Sequence, residues 1–130
     1  MNAQEINDMK SRVLIVDDEA AILLGFKKII QCDGVEVDTA ETVEDAIHLL
    51  GAHEYQFVIT DLKLNGSSGD SGFDVIQYAK MIKPKTEVIL ITGYGTPEIM
   101  EKAFSIGAAS YYEKPVSANI LRDALKRLGM

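Results

Sequence analysis

The feature that most constrains this chain is a strict alternation between short apolar runs and segments of helical periodicity. Val13-Leu14-Ile15-Val16 is apolar throughout, rich in β-branched residues, and ends at Asp17-Asp18. A run with no polar alternation fits a strand covered on both faces. Residues 19–31 follow with Ile22, Phe26, Ile29 and Ile30 at helical spacing, and Gly34 lies just beyond as a stop. Val35-Glu36-Val37-Asp38-Thr39 alternates, as a strand at a sheet edge does. Thr42 then caps a helix whose first turn holds Glu44 and Asp45, and Val43, Ala46, Ile47 and Leu50 form its apolar face. Tyr55 to Thr60 is a third strand, ending at Asp61, and a Gly/Ser-rich loop runs to Gly72. Phe73, Ile76 and Ala79 begin a helix that must stop before Pro84. Val88-Ile89-Leu90-Ile91 is a fourth strand, ending at Thr92-Gly93. Thr96 as cap and Pro97 at the first helical position start a helix carrying Ile99, Ala103 and Ile106, which Gly107 ends. Residues 109–113 form the last strand, followed by Lys114-Pro115. Ser117 caps a final helix carrying Ile120, Leu121, Ala124, Leu125 and Leu128. Five strands joined by helices must run parallel, with right-handed crossovers and helices on both faces. The expected fold is a doubly wound α/β sheet.

Composition bounds what such a sheet can do. With 130 residues the chain makes one domain, and its formal net charge of −7 disfavours a nucleic-acid or anionic-membrane binder. No apolar run approaches the roughly 20 residues of a membrane-spanning helix, and the polar residues 1–11 lack the apolar stretch of a signal peptide. That head is expected to be a flexible extension, with the domain proper at 12–130 and the cytoplasm as its compartment. The lone Cys32 excludes an intrachain disulfide and reads as a small packing residue. His48 and His53, five apart, are poorly spaced to share a metal and read as surface residues. The charge is lopsided: residues 1–74 hold 15 acidic and 5 basic groups, and residues 75–130 hold 5 acidic and 8 basic, a net of −10 against +3.

A parallel sheet gathers the residues after its strands at one edge, where ligands of open α/β folds bind. Here those residues are Asp17-Asp18, Asp61, Thr92 and Lys114. Taken singly, Asp18 would be a helix cap and Asp61 a turn residue. Together they form a carboxylate cluster in which a close pair repels by about 4 kcal/mol at 4 Å and an effective dielectric of about 20. Such a cluster calls for a cation, and a small set of hard oxygen ligands suits Mg²⁺.

These residues, in this order and spacing, resemble the receiver domains of two-component response regulators. The resemblance rests on Val13 to Glu19, Val58-Ile59-Thr60-Asp61-Leu62, Ile91-Thr92-Gly93 and Tyr111-Tyr112-Glu113-Lys114-Pro115, and covers residues 12–128. Within the family, residues 91–95 look most like receivers attached to AAA+ transcriptional activators. The resemblance implies a flavodoxin-like (βα)5 sheet of order 2-1-3-4-5 and a signalling switch rather than an enzyme. Asp61 would accept a phosphoryl group from a sensor histidine kinase or phosphotransfer protein. Mg²⁺ would be held by Asp17, Asp18, Asp61 and the Lys63 carbonyl. Lys114 would pair with a phosphate oxygen, and the Lys114-Pro115 bond that follows it would be cis. Thr92 would be the switch hydroxyl and Tyr111 the switch aromatic. Output would pass through the fourth helix, fifth strand and fifth helix to an effector domain, a downstream protein or a second copy. The chain reads as a stand-alone or an excised receiver.

Two departures from the family pattern stand out. The loop 65–72 is about three residues longer than the common form, with Asn65 where the family often has proline. Lys63 and Tyr94 occupy positions that in receivers influence phosphoaspartate hydrolysis, and both are large enough to hinder water. Two other classes remain for comparison. An aspartate-nucleophile phosphohydrolase needs a second acid two residues after its first-strand nucleophile, where the only match is Glu19. A flavodoxin-like ligand-binding module needs a phosphate loop where this chain places three acids.

Overall fold

The structure is a computed structural model and describes residues 11–31, 35–64 and 71–130. The strands are β1 (Ser11–Val16), β2 (Val35–Ala40), β3 (Phe57–Thr60), β4 (Glu87–Thr92) and β5 (Ser110–Glu113). The helices are α1 (Ala20–Ile30), α2 (Val43–Ala52), α3 (Gly72–Ile82), α4 (Pro97–Ser105) and α5 (Ala118–Arg127). The strands form one parallel sheet in the expected order, β2-β1-β3-β4-β5. β1 begins at Ser11, which pairs with Val35. The residues before it, like Cys32 and most of the long loop (65–70), lie outside the described residues.

The alternating faces of each strand divide the core into two layers. Leu14, Val16, Val58, Val88 and Leu90 meet α2, α3 and α4. Val13, Ile15, Phe57, Ile59, Ile89 and Ile91 meet Leu23 and Ile30 of α1 and Leu121, Ala124 and Leu125 of α5. These strand side chains are at most 1% exposed, and each such burial stabilises by about 1.5–3 kcal/mol. Edge strand β2 is more open: Val37 and Ala40 are buried and Glu36 exposed, but Thr39, which a strict alternation would turn inward, is exposed as well.

Helix starts follow their caps. Thr42 accepts from Asp45 N at 3.1 Å, Thr96 from Ile99 N at 3.1 Å and Ser117 from Ile120 N at 3.1 Å. Two side chains depart from the sequence reading. Leu23, not named among the apolar positions of the first helix, is its most deeply placed residue after Ile30. Ile120, assigned to the apolar stripe of the last helix, is 46% exposed. It sits one helical step from Leu121, outside the stripe that Leu121, Ala124 and Leu125 turn onto the sheet.

Candidate functional site

The backbone ladder runs on past the strand ends and fixes the candidate residues. Asp17 N donates to Ala40 O at 3.1 Å, Asp61 N to Val16 O at 2.9 Å and Lys114 N to Thr92 O at 2.9 Å. Three distant stretches of chain are thereby held at the C-terminal edge of β1, β3 and β5. Their side chains meet. Lys114 Nζ donates to Asp17 Oδ2 at 2.7 Å and to Asp61 Oδ2 at 3.1 Å. The remaining oxygens are held by backbone amides: Leu62 N donates to Asp61 Oδ1 at 2.7 Å, and Glu19 N to Asp17 Oδ1 at 2.9 Å. The Lys114-Pro115 peptide is cis, as the resemblance implied.

Two buried carboxylates share one ammonium, so the inner group keeps an excess negative charge. Burial, and then the Asp17 charge, hold the Asp61 carboxyl above its ordinary value, although Lys114 pulls it down. Burial would lower the Lys114 ammonium, but its contacts with Asp17 and Asp61 outweigh it and hold it above its ordinary value. The carboxylates of Asp17, Asp18 and Glu19 offer oxygens within 4.8 Å of one another. This chemistry, hard anionic oxygens with too little positive charge among them, fits a small divalent cation. Glu19 was not singled out as a ligand. Its signal was adjacency to Asp17-Asp18, which reads equally as a helix start.

A cleft of about 390 Å³ opens over this group, lined by Asp18, Glu19, Asp61, Lys63, Gly93, Tyr94 and Lys114. A shallower groove along Tyr112, Ile120, Asp123, Lys126 and Arg127 is larger, about 760 Å³, but holds none of the site carboxylates. Across the cleft, Lys63 Nζ lies 4.7 Å from the centroid of the Tyr94 ring, joining the loops after β3 and β4. Thr92 is fully buried and does not line the cleft. Its Oγ1 accepts from Tyr94 N at 3.0 Å, which leaves its own proton free to be donated. Tyr111 faces the α2–α4 layer and Tyr112 the α1–α5 layer, so the two lie on opposite sides of the sheet. Tyr112 Oη accepts instead from Arg127 at 2.7 Å.

One contact was not legible in sequence. Gly72 packs on the backbone of the candidate acceptor: a Cβ there would overlap the Asp61 carbonyl oxygen and stand 2.7 Å from Leu62 Cα. Its amide donates to Leu62 O at 2.6 Å.

The family model of the response regulator receiver domain matches residues 13–126. The chain belongs to this family. The receiver is similar to a CheY-like receiver domain protein from Methanospirillum hungatei, with TM-score 0.82, 29% identity and 90% and 91% of the two chains covered. It is 32% identical over 93% of its length to the alginate biosynthesis transcriptional regulatory protein AlgB of Pseudomonas putida, but spans only 26% of that protein. It is 25% identical to the sporulation initiation phosphotransferase F of Bacillus subtilis and spans 94% of it. Receivers are phosphorylation-dependent signalling switches, not classical enzymes, so the phosphohydrolase and ligand-module readings are not favoured. Among the described residues no helix is long and apolar enough to cross a membrane.

Proposed function

We propose that Asp61 is the phosphoacceptor of this receiver, taking a phosphoryl group from a phosphohistidine on a histidine kinase or phosphotransfer protein. One observation carries the reading: a single ammonium, Lys114, bridges the buried Asp17 and Asp61 at the floor of an open cleft. In the transfer, an Asp61 carboxylate oxygen attacks phosphorus, the P–N bond breaks, and the imidazole leaves with its bonding pair and takes a proton. Lys114 stands where it can pair with a phosphoryl oxygen. Asp17, Asp18, Asp61 and the Lys63 carbonyl would hold Mg²⁺, with Glu19 able to reach the same cluster. When bound, the ion neutralises charge on the phosphoryl group and its acceptor. The leucine amide on Asp61 Oδ1 orients the carboxylate, leaving Oδ2 on the Lys114 side to react.

The product carries about −1.5 to −2 charges on Asp61. Thr92, with a free hydroxyl proton, is placed in the same strand-end group to donate to it, and Tyr111 follows into the space Thr92 leaves. The output is a population shift of α4, β5 and α5. Helices α4 and α5 carry the exposed Met100, Phe104 and Ile120, which suits an effector domain, a downstream protein or a second copy. The beryllofluoride-activated NtrC4 receiver, 32% identical to this chain over 90% of its length, is a dimer in solution.

The test is phosphorylation with acetyl phosphate, or beryllofluoride binding, followed by amide NMR. The expected result is a Mg²⁺-dependent response that reaches residues 92–128 and is abolished by Asp61→Ala. A response that survives Asp61→Ala removes the acceptor assignment. One that leaves residues 92–128 unmoved removes the switch.

A further inference from the structure

Among the described residues, Tyr111 Oη is a buried side-chain oxygen with no hydrogen-bond partner. A hydroxyl left this way forfeits its hydration with no return, so its position needs a cause. The ring leaves β5 on the α2–α4 side and lays its hydroxyl against Gly95, in the turn before α4. A Cβ at position 95 would overlap that oxygen, and would stand 2.7 Å from Glu113 Oε1 and 3.0 Å from Tyr111 Cζ. Gly93, two residues earlier, shows the contrast: a Cβ there meets nothing within 4 Å. The backbone does not demand glycine at 95 either. The positive-φ glycines among the described residues are Gly107 and Gly129. What Gly95 supplies is therefore space, and the phenol hydroxyl occupies it.

The seat is easily vacated. Burial, and then the Glu113 charge, hold the phenol above its ordinary pKa, so the hydroxyl keeps its proton. Glu113 acts on it through charge and a loose side-chain contact, but does not meet the hydroxyl in good hydrogen-bonding geometry. Beside the ring lies a cavity of about 180 Å³, bounded by Thr96, Pro97, Met100 and Glu113 as well as Gly95 and Tyr111. The ring has somewhere to go and only the loose Glu113 contact to leave.

We propose that Gly95 is a positioning residue for Tyr111: the side chain missing at 95 is the seat of the phenol hydroxyl, and occupancy of that seat is one of two arrangements of the ring. The meaning for signalling rests on Tyr111 being the aromatic that moves on phosphorylation. The seat itself does not.

The test compares wild type, Gly95→Ala, Tyr111→Phe and the double variant, by thermal melting and by NMR of labelled tyrosine rings. The Tyr111 signals are assigned by their loss in Tyr111→Phe. At an open position with ordinary φ, Gly→Ala raises stability through the unfolded chain. Gly95→Ala is expected instead to lower the melting midpoint by several degrees and to shift the Tyr111 ring signals. In the Tyr111→Phe background the same substitution is expected to cost less, since the overlap with the hydroxyl is gone and only the looser Glu113 Oε1 and Cζ contacts remain. Tyr111→Phe alone is expected to keep or raise the midpoint, because it removes an unpaired buried hydroxyl. Equal costs of Gly95→Ala in the two backgrounds, unmoved ring signals, or a midpoint lowered by Tyr111→Phe alone would each overturn the seat. Beryllofluoride with Mg²⁺ separates the two readings. If Gly95→Ala moves the Tyr111 ring but beryllofluoride leaves it unmoved in wild type, the seat stands and the switch role of Tyr111 falls.

Discussion

Asp61 is buried, ionisable and set beside a second buried carboxylate, and a reactive site needs that arrangement more than a stable one does. Its folded-state pKa is raised above the ordinary value of 3.8. A group raised on folding adds stability that is complete below its unfolded value and lost as pH climbs through the folded one. At neutral pH the ionised Asp61 is therefore a cost to the metal-free fold. Asp61→Asn is expected to raise the melting midpoint in chelator at pH 7 by about 3–6 °C, the effect of roughly 1 kcal/mol in a domain of this size. The gap between variant and wild type should narrow as pH falls through the raised folded-state value and wild type takes up its proton. A variant that melts lower than wild type at pH 7 would show that the Lys114 contact outweighs burial.

Between elements, two contacts tie the acceptor loop to its neighbours. Gly72 lets the start of α3 touch the Asp61–Leu62 backbone, and Leu62 N in turn holds Asp61 Oδ1. Gly72→Ala should push that backbone aside and reduce both Mg²⁺ affinity and phosphorylation rate at least tenfold, about 1.4 kcal/mol. Gly51→Ala is the control. Its nearest foreign atom is Tyr78 Oη at 3.8 Å, an ordinary contact, and its helix should gain about 0.5–1 kcal/mol. The Lys63–Tyr94 contact spans the mouth of the cleft, so the two side chains should hinder the attacking water together. Phosphoaspartate is expected to decay severalfold faster in the Lys63→Ala, Tyr94→Ala double variant than in wild type, with each single variant close to the double. Decay equal to or slower than that of wild type would remove the gate. At this scale the sequence reading did well where the determinant is local. Thr42, Thr96 and Ser117 were legible as caps because a cap bonds its own next turn. Gly72 and Gly95 were not, because what they leave room for arrives from another strand.

Across the whole molecule, the net of −10 in residues 1–74 against +3 beyond acquires a spatial meaning. Asp17, Asp18, Glu19 and Asp61 all come from the acidic part, and Lys114 crosses from the other to meet them. Binding that is confined to the folded state stabilises it. Mg²⁺ at ten times its dissociation constant should thus stabilise wild type by about 1.4 kcal/mol. In an Asp17→Asn, Asp18→Asn variant the melting curve should not respond to the ion. A midpoint equally raised in both proteins would move the ion elsewhere. The alternation of apolar runs with helical stripes determined five parallel strands and the edge at which Asp17, Asp61, Thr92 and Lys114 would gather, because periodicity and chain direction are properties of the chain itself. Tertiary structure alone decided that Lys114 joins Asp17 to Asp61, that Ile120 faces out and that Tyr111 rests on Gly95. Each is a matter of distance between segments far apart in the chain, and packing sets such distances.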